Sequence, residues 1–242
     1  MITEENFIDF KCPHCGDTIS FPQDSAGMVQ ECPVCMDTVV VPDNGGAVGR
    51  KLPLPITTPR LVLRRLQGND WKDLLECLSD EELFSYTDGR PLEEEEIIRW
   101  LESDHHVRLT TPNQTFYLGI TLQEGGKLIG YVSLSFTDPQ RLQATLAVFM
   151  NRNFQRQGFA LETVDAALGF CFEGIRLHRV TASCDSRNVA ACGLFEKVGM
   201  RREGEFVKNR FSNGEWTNSI WFAALGEEYR EAGVNPPPGS SA

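Results

Sequence analysis

The chain has 242 residues, 41% of them hydrophobic and 24% charged, with a formal net charge of −11. That length suits one full domain and one small one, and the composition is that of a globular protein with a real core. The negative charge gives no global attraction for nucleic acid or an anionic membrane and favours cationic partners, and no apolar run approaches the ~18 residues that span a bilayer.

The first residues, "MITEENFIDF", are acidic and lack the basic-then-apolar order of a secretion signal, so a cytoplasmic location is expected. Residues 1–45 hold eight acids against Lys11 alone, a local charge of −7, and the rest of the chain carries −4. In this segment Cys12, Cys15, Cys32 and Cys35 form two Cys-x-x-Cys knuckles separated by 16 residues, each with Pro after its first Cys. Two tight turns at this spacing aim four thiolates at one tetrahedral metal, so a structural Zn²⁺ is expected. The competing reading, a redox pair or disulfide framework, does not require two matched knuckles. The runs "TISF" and "TVVV" are predicted strands. So small a segment buries too little apolar area to fold alone, and the metal must supply much of its stability. His14 lies inside the first knuckle but is not needed as a ligand. The pattern resembles a zinc ribbon, and at −7 its expected partner is another protein rather than nucleic acid. Cys77, Cys171, Cys184 and Cys192 stand singly among apolar residues and read as reduced core thiols.

Residues 46–55 have the Gly and Pro content of a linker. "PRLVLRRL" (59–66) alternates like a strand with Leu61 and Leu63 on one face. "NDWKDLLECLSD" is a predicted helix capped by Asn69, with Trp71, Leu74, Leu75 and Leu78 at helical spacing. A second helix, residues 92–107, turns Ile97, Ile98 and Leu101 inward. Residues 115–136 give two strands joined across Glu124-Gly125-Gly126, a hairpin signal, and 141–150 give another strand. After "NRNFQRQGFA", Leu161, Val164, Leu168 and Cys171 repeat at helical intervals. A strand (178–184), a short helix (189–199) and two strands (201–211 and 215–225) complete a domain over 56–225. Residues 226–242 are an expected flexible tail. Strands mixed with helices in this order predict an α+β fold, a mixed and mostly antiparallel sheet flanked by helices.

Between the strand ending at Met150 and the next helix lie Gln155, Arg156, Gln157, Gly158, Phe159 and Ala160. A helix start presents unpaired N–H groups and the positive end of a dipole, so an anion is the expected guest. Gly158 lets backbone approach that guest without a Cβ in the way. The alternative is a helix with an ordinary polar first turn. Element order and this Gln-x-x-Gly-x-Ala run together resemble the GNAT acetyltransferase superfamily, and most closely its branch of ribosomal-protein N-terminal acetyltransferases. "TPRLVLR" (58–64), Asn188-Val189-Ala190-Ala191, "EKVGM" (196–200), Glu203-Gly204 and Trp216 carry that likeness over about residues 56–225.

The resemblance implies an acetyl-CoA-dependent N-acetyltransferase. In such a protein residues 155–160 grip the pyrophosphate of acetyl-CoA. Main-chain groups of Val148, Phe149 and Met150 line the pantetheine arm where two strands splay apart, often at a bulge. Asn188 meets the arm from the other side or caps a helix, and the Met150 N–H polarises the thioester. Three side chains common in the family are absent. A strand Glu is Thr145, the Ser of Asn-x-x-Ser is Ala191, and the Tyr of "LYEK" is Phe195. The acid and base are therefore unassigned, with Tyr86, His105, His106 and Asp185 as candidates within reach of a cleft. The expected acceptor is an amine of low pKa, such as a protein N-terminus, rather than a lysine. The alternative is a non-catalytic acyl-CoA-binding adaptor whose ribbon is the working surface.

Overall fold

The computed structural model describes residues 7–43, 49–104, 109, 115–136 and 142–231. The N-terminal part has two small sheets. Strands β1 (Phe7–Lys11) and β2 (Thr18–Pro22) form a hairpin, and β3 (Val29–Glu31), β4 (Thr38–Val40) and β5 (Arg50–Lys51) form a three-stranded sheet. Ile8, Phe10, Ile19, Val39 and Val41 pack with Cys12 and Cys32 into a core too small to stand without the cysteine cluster. The segment expected to be a linker therefore contributes strand β5 to the three-stranded N-terminal sheet. Val39 pairs with Lys51, and Leu52 and Leu54 pack against the main core.

The main domain is built on an eight-stranded sheet. Its strands are β6 (Ile56–Thr57), β7 (Leu61–Arg65), β8 (Thr115–Leu122), β9 (Leu128–Ser135), β10 (Gln143–Met150), β11 (Arg179–Asp185), β12 (Arg201–Ser212) and β13 (Glu215–Leu225). They run in the order β12-β13-β11-β10-β9-β8-β7-β6, antiparallel throughout except for the parallel pair β10–β11. This is the α+β arrangement expected from the order of periods. Helices α1 (Trp71–Leu78) and α2 (Glu94–Asp104) cover one face, where Leu74, Leu78, Ile97 and Leu101 meet Trp100, Tyr117, Tyr131 and Phe149. Helices α3 (Phe159–Gly169) and α4 (Val189–Lys197) cover the other through Val164, Ala167, Leu168 and Phe195. Burying both faces is what a sheet with apolar residues on both sides requires.

Several local expectations change. Asn69 is not the cap of α1. The polar anchor is buried Asp70, which accepts from the Gln67 N–H at 2.7 Å and is gripped in bidentate fashion by Arg64 at 2.8 Å. Ile98 is only half-buried. Leu161 is 37% exposed, because Ala160 takes the inward position four residues before Val164. Helix α3 runs on through a wider turn at Phe170–Gly174. The expected tail starts with helix α5 (Gly226–Glu231), held by Tyr229 against Phe172 at 5.1 Å between ring centroids. No helix among the described residues is long and apolar enough to cross a membrane.

Candidate functional site

Strands β10 and β11 share only three rungs, Gln143–Arg179, Ala144–Val180 and Thr145–Thr181. Beyond them β10 continues with β9 to Met150, and β11 continues with β13 to Asp185, leaving a wedge-shaped gap. The expected bulge is in neither of these strands. It lies between β8 and β9, where Ile120 pairs with Gly130 and Thr121 with Leu128, while the β10–β9 ladder is unbroken. Gly130 sits opposite Met150, and a Cβ there would stand 2.2 Å from the Phe149 carbonyl oxygen, so only glycine permits this approach.

The ladder decides which main-chain groups face the gap. The Asn151 N–H donates to the Ile129 carbonyl at 2.8 Å. Pairing alternates along an antiparallel ladder, so Phe149 and Ala147 also bond to β9 while Met150, Val148 and Leu146 point toward β11. The His178 N–H donating to Leu142 O on the same alternate set agrees. Val148 and Met150 thus present N–H groups to the gap. Phe149 does not present its main chain there; its ring stacks on Tyr131 instead, at 5.1 Å.

Past Met150 the chain turns through buried Asn151, whose side chain accepts from Asn153 N–H and donates to Glu76 at 2.9 Å. Gln155 donates to the Met150 carbonyl at 3.0 Å, and Gln157 donates to Asn153 O at 2.9 Å. Arg156 and Gly158 hold left-handed backbone, with φ of 62° and 81°. Gly158 caps α3, and the first intrahelical bond is Glu162 N–H to Gly158 O. The N–H groups of Phe159, Ala160 and Leu161 precede it and have no intrahelical acceptor, an arrangement that can receive an anion.

Three residues brace this loop through contacts that sequence reading did not foresee. Arg60 donates to Gln157 O at 2.9 Å, pairs with Glu162 at 2.7 Å and lies over the Phe159 ring at 4.4 Å. Thr58 donates to Glu162 at 2.6 Å. Burial works against the charge on Glu162, yet Thr58 and Arg60 together hold its carboxyl below the usual range. An acid in the first turn of α3 is thereby neutralised by a neighbouring cation. The clue lay in "TPRLVLR", which supplies both Thr58 and Arg60.

On the face carrying α1 and α2, the gap is flanked by Thr145, Ala147 and Phe149 from β10 and by Thr181, Ser183 and Asp185 from β11. Asp185 is buried and clamped by Arg187 through Nη2 at 2.8 Å and Nε at 3.0 Å. Those contacts hold its carboxyl low, so it is an ion-pair partner rather than a free base. Ala191 has no hydroxyl, and Phe195 is core, 5.5 Å from Phe222 between centroids. The Asn188 side chain caps α4, accepting from Ala191 N–H at 3.0 Å. Tyr86 is exposed beside a brace in which Arg210 pairs with Asp88 at 2.8 Å and Ser212 donates to Thr87 O at 2.9 Å. His105 and His106 lie outside the described residues.

The second centre is the cysteine cluster. The Sγ atoms of Cys12, Cys15, Cys32 and Cys35 all lie within 4.8 Å of one another. The two knuckles repeat one geometry: Gly16 N–H to Cys12 O and Met36 N–H to Cys32 O, with positive φ at both Gly16 and Met36. Burial opposes ionisation of Cys12, but the Cys15 and His14 amides bring its thiol down to about 7. Four soft donors so close fit zinc. His14 instead bonds to Thr38 O at 3.2 Å. This N-terminal part packs where β10 and β11 begin. Asp43 pairs with Arg176, and Met28 and Val29 share a small cavity with Leu142 and Ile175. The gap opens at the other end of those strands.

A model of the acetyltransferase (GNAT) domain family matches residues 60–201. The uncharacterized N-acetyltransferase YnaD of Bacillus subtilis is 29% identical over 174 residues, 72% of this chain and 98% of its own. A GNAT-family acetyltransferase structure from Bacillus anthracis is 25% identical, with a TM-score of 0.65 over 71% of this chain and 98% of its own. The spermidine N-acetyltransferase of Vibrio cholerae, solved with CoA and spermine, is 23% identical, with a TM-score of 0.62 over 70% of this chain and 98% of its own.

Proposed function

Because this chain belongs to the acetyltransferase (GNAT) domain family and is an N-acetyltransferase, we propose that it moves the acetyl group of acetyl-CoA onto an α-amine or another amine of low pKa. Residues 155–160 take the pyrophosphate, supported by the outward N–H groups at the start of α3 and by Arg156. The pantetheine arm adds to the exposed edge of β10, pairing with Val148 and Met150 as a strand would. The Met150 N–H donates to the thioester oxygen as charge builds there, a role supported by its direction away from β9.

The observation that carries the acceptor class is that the strands bordering the gap offer Thr145 at its apex and, at the end of β11, an Asp185 already clamped by Arg187. These strands offer no free carboxylate to take the acceptor's proton. At pH 7, deprotonating an α-amine of pKa ~7.8 costs about 1 kcal/mol, against about 4.6 kcal/mol for a lysine at ~10.4. A positioned base contributes roughly 3–5 kcal/mol, about what a lysine acceptor would need made up. The likeness of "TPRLVLR" and "EKVGM" to N-terminal acetyltransferases of ribosomal proteins supports the same class. The net charge of −11 also suits a polyamine, which stands as the second reading.

The cysteine cluster is assigned to one structural Zn²⁺ held by Cys12, Cys15, Cys32 and Cys35, which supplies the folding energy that this small core lacks. Its distance from the gap suits a ribbon that engages a protein partner rather than the reacting amine.

The test uses acetyl-CoA with peptides differing only in a free or blocked N-terminus, each with one internal lysine, alongside spermine. Faster acetylation of the free N-terminus is expected. Faster lysine acetylation overturns the acceptor class, preference for spermine selects the polyamine, and no turnover on any amine points to an acyl-CoA-binding adaptor.

A further inference from the structure

Two thiols outside the zinc cluster meet beside the gap. Cys184, near the end of β11, turns toward α4, and its Sγ lies 3.4 Å from the Sγ of Cys192 in the first turn of that helix. The seven residues between them are held tightly, by the Asp185–Arg187 clamp and the Asn188 cap. Neither thiol is assigned a part in the acetyl-transfer reading above. Cys184 is 8% exposed and Cys192 is half-buried, so a reagent meets Cys192 first. Among the described residues outside the ribbon, the other two cysteines, Cys77 and Cys171, are buried.

We propose that Cys184 and Cys192 are a dithiol modification site, which a small-molecule disulfide converts to an intramolecular disulfide that weakens acetyl-CoA binding. The Cys192 thiolate attacks one sulfur of the disulfide RSSR. The S–S bond breaks, RS⁻ leaves, and a Cys192–SR mixed disulfide forms. Cys184 then attacks the Cys192 sulfur, loses its proton to solvent and expels the second RS⁻. The protein loses two electrons and two protons, and RSSR becomes two RSH. Burial, with the neighbouring Cys192 thiol and the Asp185 charge, pushes the Cys184 thiol up to about 12, which assigns it the second, resolving step.

The consequence for binding rests on the acetyl-CoA reading given above. A disulfide needs its sulfurs about 2.05 Å apart, closer than the present 3.4 Å, so closure turns the two side chains together and ties the first turn of α4 to β11. That turn is the one capped by Asn188, on the β11 side of the gap. CoA affinity is expected to fall by on the order of tenfold, equivalent to about 1.4 kcal/mol.

The experiment treats the full zinc-loaded chain with oxidised glutathione. Free thiols are then alkylated, cross-linked peptides are mapped by mass spectrometry, and CoA binding is titrated calorimetrically before and after. A Cys184–Cys192 cross-link with weakened CoA binding, both reversed by dithiothreitol, is the expected result. Cys192→Ser should keep CoA binding insensitive to the oxidant, and circular dichroism confirms its fold. The proposal falls if mapping leaves Cys184 and Cys192 as thiols, or if the cross-link forms and affinity does not change. A reduced protein that binds no CoA would instead sink the acetyl-CoA site, while the peptide map would still report on the thiol pair.

Discussion

The hydroxyls of Thr145 and Thr181 lie 3.1 Å apart across the last rung that β10 and β11 share, at the apex of the gap. The position expected for a strand Glu is thus occupied by half of a hydroxyl pair. Thr145→Val removes that bond and leaves Thr181 with only its 3.4 Å contact to Ala144 O. A loss of about 1 kcal/mol in unfolding free energy is expected, with the pH profile of acetyl transfer unchanged. Denaturant titration and a pH–rate series check it. A shifted profile would make Thr145 part of a proton path.

Gly158 holds φ of 81° with Arg60 Nη2 3.3 Å from where a Cβ would sit. Gly158→Val adds strain of about 1–3 kcal/mol and places a branched side chain in the loop. CoA affinity is expected to drop by at least about tenfold, or about 1.4 kcal/mol, while the far-ultraviolet spectrum stays native. Unchanged CoA binding would remove the anion from this loop.

Glu162 links the loop to β7 by way of Thr58 and Arg60. Its folded pKa is lowered, so its contribution to stability is complete above the ordinary glutamate value of ~4.3 and is lost as pH falls through the folded value. The stability difference between wild type and Glu162→Gln should therefore be largest near neutrality and vanish in acid. Urea unfolding at a series of pH values measures it. A difference that grows on acidification would reverse the sign.

Cys32 is fully buried at the centre of the ribbon core. Metal analysis should find about one zinc per chain, and Cys32→Ser should lose it and expose residues 7–43 to protease. The main domain should still melt cooperatively. A metal-free wild type with a protease-resistant ribbon would reject the assignment.

Long-range pairing marks where sequence reasoning stopped. Strand and helix periods are local, so β7 to β13 and all four main helices were legible, and the knuckles and Gln155–Ala160 announced their geometry through residue type and spacing. Arg60 and Glu162 are 102 residues apart, and no local pattern says that they meet. The parity of the β10 ladder, which turns Phe149 away from the gap, depends on register with β9. Leu161 fits the inward spacing as well as Ala160 does, and only docking against the sheet chooses between them. Tyr229 lies among Glu and Arg, so helix α5 had no periodic signal until Phe172 supplied a partner.

Among the described residues three rungs join β6–β10 to β11–β13, so the backbone connects the two parts of the sheet as a short hinge connects two plates. Bending about that hinge requires no backbone bond to break, since none crosses the open end. A guest lying along Val148 and Met150 would act as a splint, stiffening the joint as an added strand would. Amide hydrogen exchange along 182–185 should then slow on binding although the guest touches few of those amides, because the plates can no longer part.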